Sequence, residues 1–442
     1  MDSVDKFFDM EIKHHLFDIQ TNDGFYLWDI IRYDVYLQHN DIICAQKKKE
    51  KINLLFLKKF FVALYLIFKS LFVLFFKKTK YLIFSSNRYL DSKGQLFDKA
   101  IQNIVDEFKN DSINFDNLKP LSTYKNKVYF NLLFVYRRLF FRKKYISEKV
   151  YSLVNSAFIE YFGESKLKKE DIEYLYSQFF CDYKFYCLLL KRIKPKAIFY
   201  VLNGMQKALL LAAKENNIFI CEVQHGSVRR VNIAYSYPIG INENSNIYFP
   251  NVFFSMGINA VMPPINMPTK VVSVGNDYYV FDASDEECDN SILFISTAFH
   301  SKYLIPYVIE FAKKNPSIIV KYKLHPQEYF QEAYYCDVFK DYKNVHILKG
   351  DVDINVLIAR SMLVVLIFST VAYETLNQGK KLAILKEFDY MSMEDIFGLP
   401  NVYLFDSLDS LFEIYNKKIE VSSITFFNKF NRLKIRNLIE SI

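Results

Sequence analysis

A chain of 442 residues is too long for one ordinary core and implies two or three domains. With 51% apolar residues it can bury large cores, which excludes global disorder, while a formal charge of +8 admits nucleic acid, an anionic membrane surface or a negatively charged substrate as partner. Six scattered cysteines (Cys44, Cys181, Cys187, Cys221, Cys288, Cys336) form no C-x-x-C pair and no zinc spacing, which argues against a disulfide framework and fits a reducing cytoplasm.

The first twenty residues are charged throughout, so no secretory signal is expected. Residues 23–38 (DGFYLWDIIRYDVYLQ) have the apolar spacing of a helix with one buried face, in which Trp28 and Arg32 read as packing or surface residues. Residues 60–76 (FFVALYLIFKSLFVLFF) lie between Lys58-Lys59 and Lys77-Lys78. They approach the length of a membrane span, yet Lys69 near the centre argues against one. Two readings remain. One is a basic interfacial helix, with its apolar side in the lipid boundary and its lysines on anionic headgroups; the other is a core-packing helix. Residues 128–145 (VYFNLLFVYRRLFFRKKY) share this character and either extend the same patch or form an ordinary amphipathic helix.

A first buried strand is predicted over 80–86 (KYLIFSS), with helices filling much of 95–190. Residues 196–204 (KAIFYVLNG) read as a strand ending in a turn, 205–217 as a helix, and 218–226 (IFICEVQHG) as the next strand. That is a βαβ unit, hence a parallel sheet, and it sets His225 at the carboxyl end of a strand, the edge where open α/β sheets bind ligands. A short strand follows over 270–276 (KVVSVGN), then an acidic stretch at 282–290 (DASDEECDN). A second series starts beyond it. Strands are predicted at 291–297, 317–326, 345–350, 362–370 and 381–385, helices at 303–315, 354–361 and 371–379, and a last helix near 424–440. The domains expected are 1–276, an acceptor-side Rossmann-like domain with a helical, membrane-contacting insertion; a linker at 277–290; and 291–442, a nucleotide-donor Rossmann-like domain carrying the terminal helix.

Two pieces of the second series suit an anion. In KYKLHPQE (321–328) the proline ends the strand and fixes the loop, so that His325 projects from the edge with Lys321 and Lys323 nearby, as a phosphate would require. In FSTVAYETLNQGK (368–380), Ser369 and Thr370 stand between an apolar strand and a helix, where a hydroxyl caps the helix and free N–H groups attract an anion. Glu374, one turn in, is placed to meet a ribose hydroxyl. Asp351-x-Asp353 has the look of a D-x-D metal motif, but a cap on the helix from Ile354 is the favoured reading, and no metal site or cofactor is expected. On the acceptor side His225 is the candidate base and Glu222 its rival; Arg229 is a candidate contact to an anionic substrate.

The order Q-H-G, V-G-N, K-x-H-P and S-T-x-x-x-E resembles bacterial capsule and lipopolysaccharide glycosyltransferases of the two-Rossmann GT-B type with an HP motif, including Kdo and sialic acid transferases and the teichoic-acid glycerophosphotransferases. The resemblance covers 196–385 well and the first third weakly, although residues 25–36 (FYLWDIIRYDVY) also look like the opening of many capsule and O-antigen proteins. It implies an α/β, GT-B fold, two Rossmann-like domains facing a cleft with extra N-terminal helices. By that resemblance His325, Pro326, Ser369 and Thr370 contact the donor phosphate, Glu374 holds the ribose and His225 acts on the acceptor side. The residues themselves add Lys323 on the donor side, Glu222 as the rival base, and Gln224, Gly226 and Arg229 around the substrate, with Asn203, before Gly204, the nearest candidate for the Asp/Glu-Gly element of the sialyltransferases, which is not clear in this sequence. The sequence departs from the family at Gln224, where the glycerophosphotransferases have an aromatic residue, and at Phe368, where they have an acidic one.

The function so implied is transfer of a sugar from a nucleotide donor, with a CMP-sugar among the candidates, to a lipid-linked glycan at the inner face of the bacterial cytoplasmic membrane. A CDP-polyol phosphotransferase shares nearly the same motif order. A basic membrane-associated scaffold is the non-enzymatic alternative. Nucleic acid is not an expected partner, because the basic residues cluster near apolar helices and no P-loop or nucleic-acid motif occurs.

Overall fold

The computed structural model describes residues 3–39, 55–85, 89–90, 96–116, 127–129, 131–226, 228–241, 243–257, 259, 266–283, 286–298, 300–350, 352–420 and 424–442. Two compact units emerge. The first takes in 1–255, 263–274 and 431–442; the second takes in 256–262 and 275–430.

The first unit is built on seven parallel strands: β1 (Tyr81–Phe84), β4 (Ser112–Asp116), β5 (Lys127–Tyr129), β6 (Ala197–Tyr200), β7 (Phe219–Val223), β8 (Val252–Ser255) and β9 (Lys270–Ser273). A short antiparallel pair, β2 (Tyr89–Leu90) and β3 (Leu96–Phe97), stands apart from the sheet. The sheet order is β5-β4-β1-β6-β7-β8-β9. Strands β1, β6 and β8 are buried along their whole length, which explains why they are unbroken apolar runs: a parallel sheet is covered on both faces. The second unit holds β10 (Ser291–Ile295), β11 (Ile319–Lys323), β12 (Val345–Leu348), β13 (Ser361–Leu366), β14 (Lys381–Leu385) and β15 (Val402–Phe405), all parallel, in the order β12-β11-β10-β13-β14-β15. Counted within its own sheet, each unit reads 3-2-1-4-5-6, the order of a doubly wound Rossmann fold; the first adds a seventh strand. The chain is therefore α/β with two Rossmann-like units, as expected.

The helices before the first sheet are held by a buried ion pair. Arg32, on the helix Leu27–His39, donates from Nη2 to Glu11 on the helix Ser3–Lys13 at 3.0 Å, and the Trp28 indole donates to the same carboxylate at 2.7 Å. Arg32 and Trp28 are thus packing residues, and the Tyr237 ring lies 4.2 Å from the guanidinium carbon. The long helix Lys169–Ile193 buries Ile172, Tyr176, Phe179, Tyr183, Tyr186 and Leu190, a spacing of three and four that keeps one stripe on the core. It ends at Lys194, in left-handed conformation, and feeds β6.

Three expectations about organisation are corrected. The terminal helix, found at Arg432–Glu440, packs with the first unit: Lys434 donates to the Ser273 carbonyl at 2.8 Å, and Arg436 pairs with Glu107. The 277–290 segment is no free tether, since it belongs to the second unit. Its Asp289 pairs with Lys321 at 2.5 Å and its Glu286 with Arg360 at 2.7 Å, so its acidic composition serves pairing with that unit's cations. Finally, residues 256–262 return to the second unit before the chain goes back to the first.

The helix Leu55–Phe76 divides its faces. Leu66 and Ser70 are buried, while Tyr65, Phe68, Phe72, Phe75 and Phe76 are each at least 60% exposed. Among the described residues no helix is long and apolar enough to cross a membrane.

Candidate functional site

In the second unit the connections from β10 and β13 leave toward opposite faces, so the carboxyl ends of these neighbours diverge and open a crevice. The loops after β10, β11 and β13 bring Thr297, His325 and Ser369-Thr370 to that edge. His325 is extended (φ −65°, ψ 142°), and Pro326 takes the first position of the turn Pro326–Gln331, where a missing N–H costs nothing. The His325 amide donates to Ser296 Oγ at 3.0 Å, and Nδ1 accepts the Gln327 amide at 3.2 Å. With Nδ1 an acceptor, the neutral ring carries its proton on Nε2 and presents a donor there. Burial lowers the pKa of this histidine; Glu328 opposes the shift and Lys323 adds to it.

Behind His325 sits Glu328, 1% exposed. It accepts hydroxyls from Ser301 and Tyr335 at 2.7 Å each, and a third from Ser296. Glu328 therefore orients Ser296, which in turn holds the His325 backbone. This acid went unnoticed in the sequence, where a glutamate three residues past a histidine looks like a solvated charge; the phase of His-Pro-Gln-Glu as a turn was the available signal.

The other donor-side residues divide. Ser369 Oγ accepts the Val371 amide at 3.3 Å and so caps the helix Val371–Asn377. Thr370 makes no such cap, contrary to expectation, and is exposed. Glu374, one turn into that helix, is 6% exposed. Lys323 is half-buried, with its ammonium 5.7 Å from the Tyr329 ring centre. Lys321, expected beside His325, is turned instead to Asp289. Asp353 caps its helix through the Asn355 amide at 2.7 Å; Asp351 lies outside the described residues. An aromatic shelf borders the same edge. His300, after β10, stacks on Phe388, after β14, with ring centres 3.7 Å apart and planes 20° from parallel. Phe388 is 52% exposed and held at φ +49°, a strained backbone for a bulky residue.

In the first unit, Glu222 is fully buried and accepts the Tyr235 hydroxyl at 2.9 Å and the Tyr200 hydroxyl at 3.2 Å. Burial drives both tyrosine pKa values far up, so they stay protonated donors. Glu222 thus braces the floor beneath the loop, and solvent cannot reach it as it would a general base. Gln224 is also buried; its amide nitrogen donates to the Gly226 carbonyl at 2.8 Å, closing the turn around the half-buried His225. Gln224 positions the loop more than it meets a substrate. Arg229 is half-buried, and Arg230 pairs with Asp5. Arg32 donates to the carbonyls of Ile233 and of Ser236, the latter at 3.1 Å, so the N-terminal helices moor the chain at those two points after His225. Asn203 and Gly204 form a short turn just past β6, after Leu202 in left-handed conformation.

Neither a protein-family model nor a curated protein matches the chain. Among solved structures it is similar to UDP-GlcNAc 2-epimerase from Methanocaldococcus jannaschii, at 12% identity over 82% of this chain and 100% of that one, with a TM-score of 0.48. UDP-GlcNAc 2-epimerase from Neisseria meningitidis, bound to UDP-GlcNAc, matches at 13% identity over 82% and 100%, with a TM-score of 0.48. The calicheamicin glycosyltransferase CalG4 matches at 10% identity over 83% and 94%, with a TM-score of 0.47. Likeness at this level assigns no residue of this chain a role; the fold class rests on the two strand orders.

Proposed function

We propose that this protein is a nucleotide-sugar-dependent glycosyltransferase of bacterial surface polysaccharide synthesis, acting on a lipid-linked glycan as a peripheral protein of the inner membrane face. The observation that carries the reading is the set of neutral donors at one edge of the second sheet. His325 follows β11 and Thr370 follows β13 at that edge; the His325 Nδ1 accepts the Gln327 amide, which leaves Nε2 a donor, and the Ser296–Glu328 pair fixes the His325 backbone.

Glycosyl transfer breaks the bond between the sugar's anomeric carbon and a phosphate oxygen, and forms one to the acceptor hydroxyl. Charge grows on the leaving phosphate. A prepositioned donor on that phosphate contributes on the order of 3–4 kcal/mol. Lys323 adds positive charge, and the His300–Phe388 shelf offers a flat surface for the nucleobase. His225 is assigned the role of the base on the acceptor hydroxyl, a contribution of about 10²–10⁴-fold for a suitably tuned group. The resemblance to HP-motif transferases favours cytidine as the base of the nucleotide.

Donor turnover tests the reading. Incubation with CMP-sugars, UDP-sugars and CDP-glycerol, followed by release of free nucleotide, is expected to show turnover of a nucleotide sugar that His325→Ala abolishes. Turnover of CDP-glycerol alone would assign the chain to polyol-phosphate transfer.

A further inference from the structure

A cavity of about 340 Å³ opens on the first unit between the helices Asn131–Phe140, Lys169–Ile193 and Lys207–Glu215, lined in part by Tyr136, Tyr183, Lys184, Lys191 and Glu215. Lys191 and Glu215 lie a few residues before β6 and β7, so the cavity faces the amino edge of the sheet, the opposite edge from His225. Lys184 and Lys191 stand two turns apart on one helix face. Both are exposed. The Tyr183 hydroxyl donates to Glu215 across the floor, and the Lys184 ammonium lies 5.3 Å from the Tyr183 ring centre.

The rim is apolar and continues outward. Leu188 is 60% exposed, Phe134 67% and Phe140 55%. Arg192, next to Lys191, donates to the Phe75 carbonyl at 3.4 Å, which joins the cavity's helix to the exposed Phe72–Phe76 end of the neighbouring helix. Residues 55–84 and 127–147 together hold twelve Lys and Arg and no Asp or Glu, against a net of +8 for the whole chain. Arg137, Lys143 and Lys144 are paired with Asp182, Glu173 and Asp23, while Lys78, Arg138 and Arg142 are exposed. An apolar surface ringed by cations fits an anionic bilayer.

We infer that this cavity is a headgroup site for an anionic glycerophospholipid with a hydroxylated headgroup, of the phosphatidylglycerol kind. The inference rests on the peripheral-membrane part of the proposed function. Lys184 and Lys191 take the phosphate. Glu215 accepts the glycerol hydroxyls, bonds that a singly charged headgroup without hydroxyls does not supply. The acyl chains leave over Leu188 and Phe140. The lysines alone would favour any anionic lipid; Glu215 makes the site selective.

The test is co-sedimentation of the full chain with phosphatidylcholine vesicles containing an equal mole fraction of either phosphatidylglycerol or phosphatidylmethanol, which has the same charge and no headgroup hydroxyl. The wild type is expected to bind the phosphatidylglycerol vesicles more tightly. Lys184→Gln/Lys191→Gln loses that preference. Lys78→Gln, outside the cavity and exposed, weakens binding to both vesicles by roughly five-fold and keeps the preference. Equal binding of the two lipids by the wild type, or a preference that survives Lys184→Gln/Lys191→Gln, overturns the headgroup site while leaving membrane contact standing. No binding to either vesicle overturns both. Unchanged thermal unfolding of the two variants shows that they fold.

Discussion

His325 owes its orientation to a residue that cannot touch a ligand. Glu328 is buried and acts through Ser296, so its removal should reach the crevice indirectly. Glu328→Ala strands the Ser301 and Tyr335 hydroxyls and frees the His325 loop. We expect it to cost about 1–3 kcal/mol of stability. It should also lower nucleotide affinity, measured by calorimetry, whereas Glu328→Gln, which keeps an acceptor oxygen, retains most of both. An affinity unchanged in Glu328→Ala would remove it from the positioning role. A second prediction concerns Asp29. Burial raises its carboxyl from 3.8 to about 6, against the pull of Lys207 and the 2.8 Å hydrogen bond from Ser245. The folded state therefore binds the proton more tightly than the unfolded state. The contribution of Asp29 to stability is largest at low pH and is lost as pH rises from 3.8 through about 6. Asp29→Asn has no such loss, so the difference in unfolding free energy between wild type and variant should shift in the variant's favour between pH 4 and pH 6.5, read by urea denaturation. A difference independent of pH would contradict the burial argument.

Among the elements, the strands of the second unit were the most legible. β10, β13 and β14 are largely apolar runs of five or six residues, β11 (IVKYK) alternates lysines with apolar residues, and each was predicted within a few residues of where it lies. β4 (SINFD) and β5 (KVY) went unread because polar residues interrupt such short pieces, and β15 was missed among turn-forming neighbours. The V-G-N motif read as the end of a strand, but its glycine has a further reason to be there. Gly275 adopts φ +78°, and a Cβ there would lie 2.2 Å from the Lys429 carbonyl oxygen, while Asn276 donates its amide to Asn428 at 2.8 Å. Gly275→Ala therefore meets both backbone strain and a backbone clash. A loss of more than about 1–3 kcal/mol is expected from strain of this kind alone, measured by chemical denaturation. Wild-type stability in this variant would mean that the 428–430 segment yields freely. Nothing in local pattern announced that contact, because its two sides are far apart in the chain.

For the whole molecule, the sequence disclosed two Rossmann-like series in their correct order but not their boundaries. The terminal helix returns to the first unit, and the 277–290 segment is bound by ion pairs to the second; both follow from long-range contacts that no window of residues displays. The candidate site was legible to the same degree. His325, Ser369 and Thr370 do lie along one sheet edge, because a strand's carboxyl end can be read from where its apolar run stops. Glu222 and Gln224 are buried supports, because burial of an alternate strand position is decided by what packs on it, here Tyr200 and Tyr235. The central claim is that the second unit binds a nucleotide through His325. The measurement that tests it most directly is thermal unfolding with CMP, CDP, UDP, GDP and TDP, with and without Mg²⁺, on the wild type and on His325→Ala. A ligand at about 100 times its dissociation constant adds roughly 2.7 kcal/mol of stability. The account predicts an upward shift with CMP that does not need Mg²⁺ and disappears in His325→Ala. No shift with any nucleotide, or a shift that His325→Ala leaves intact, would contradict it.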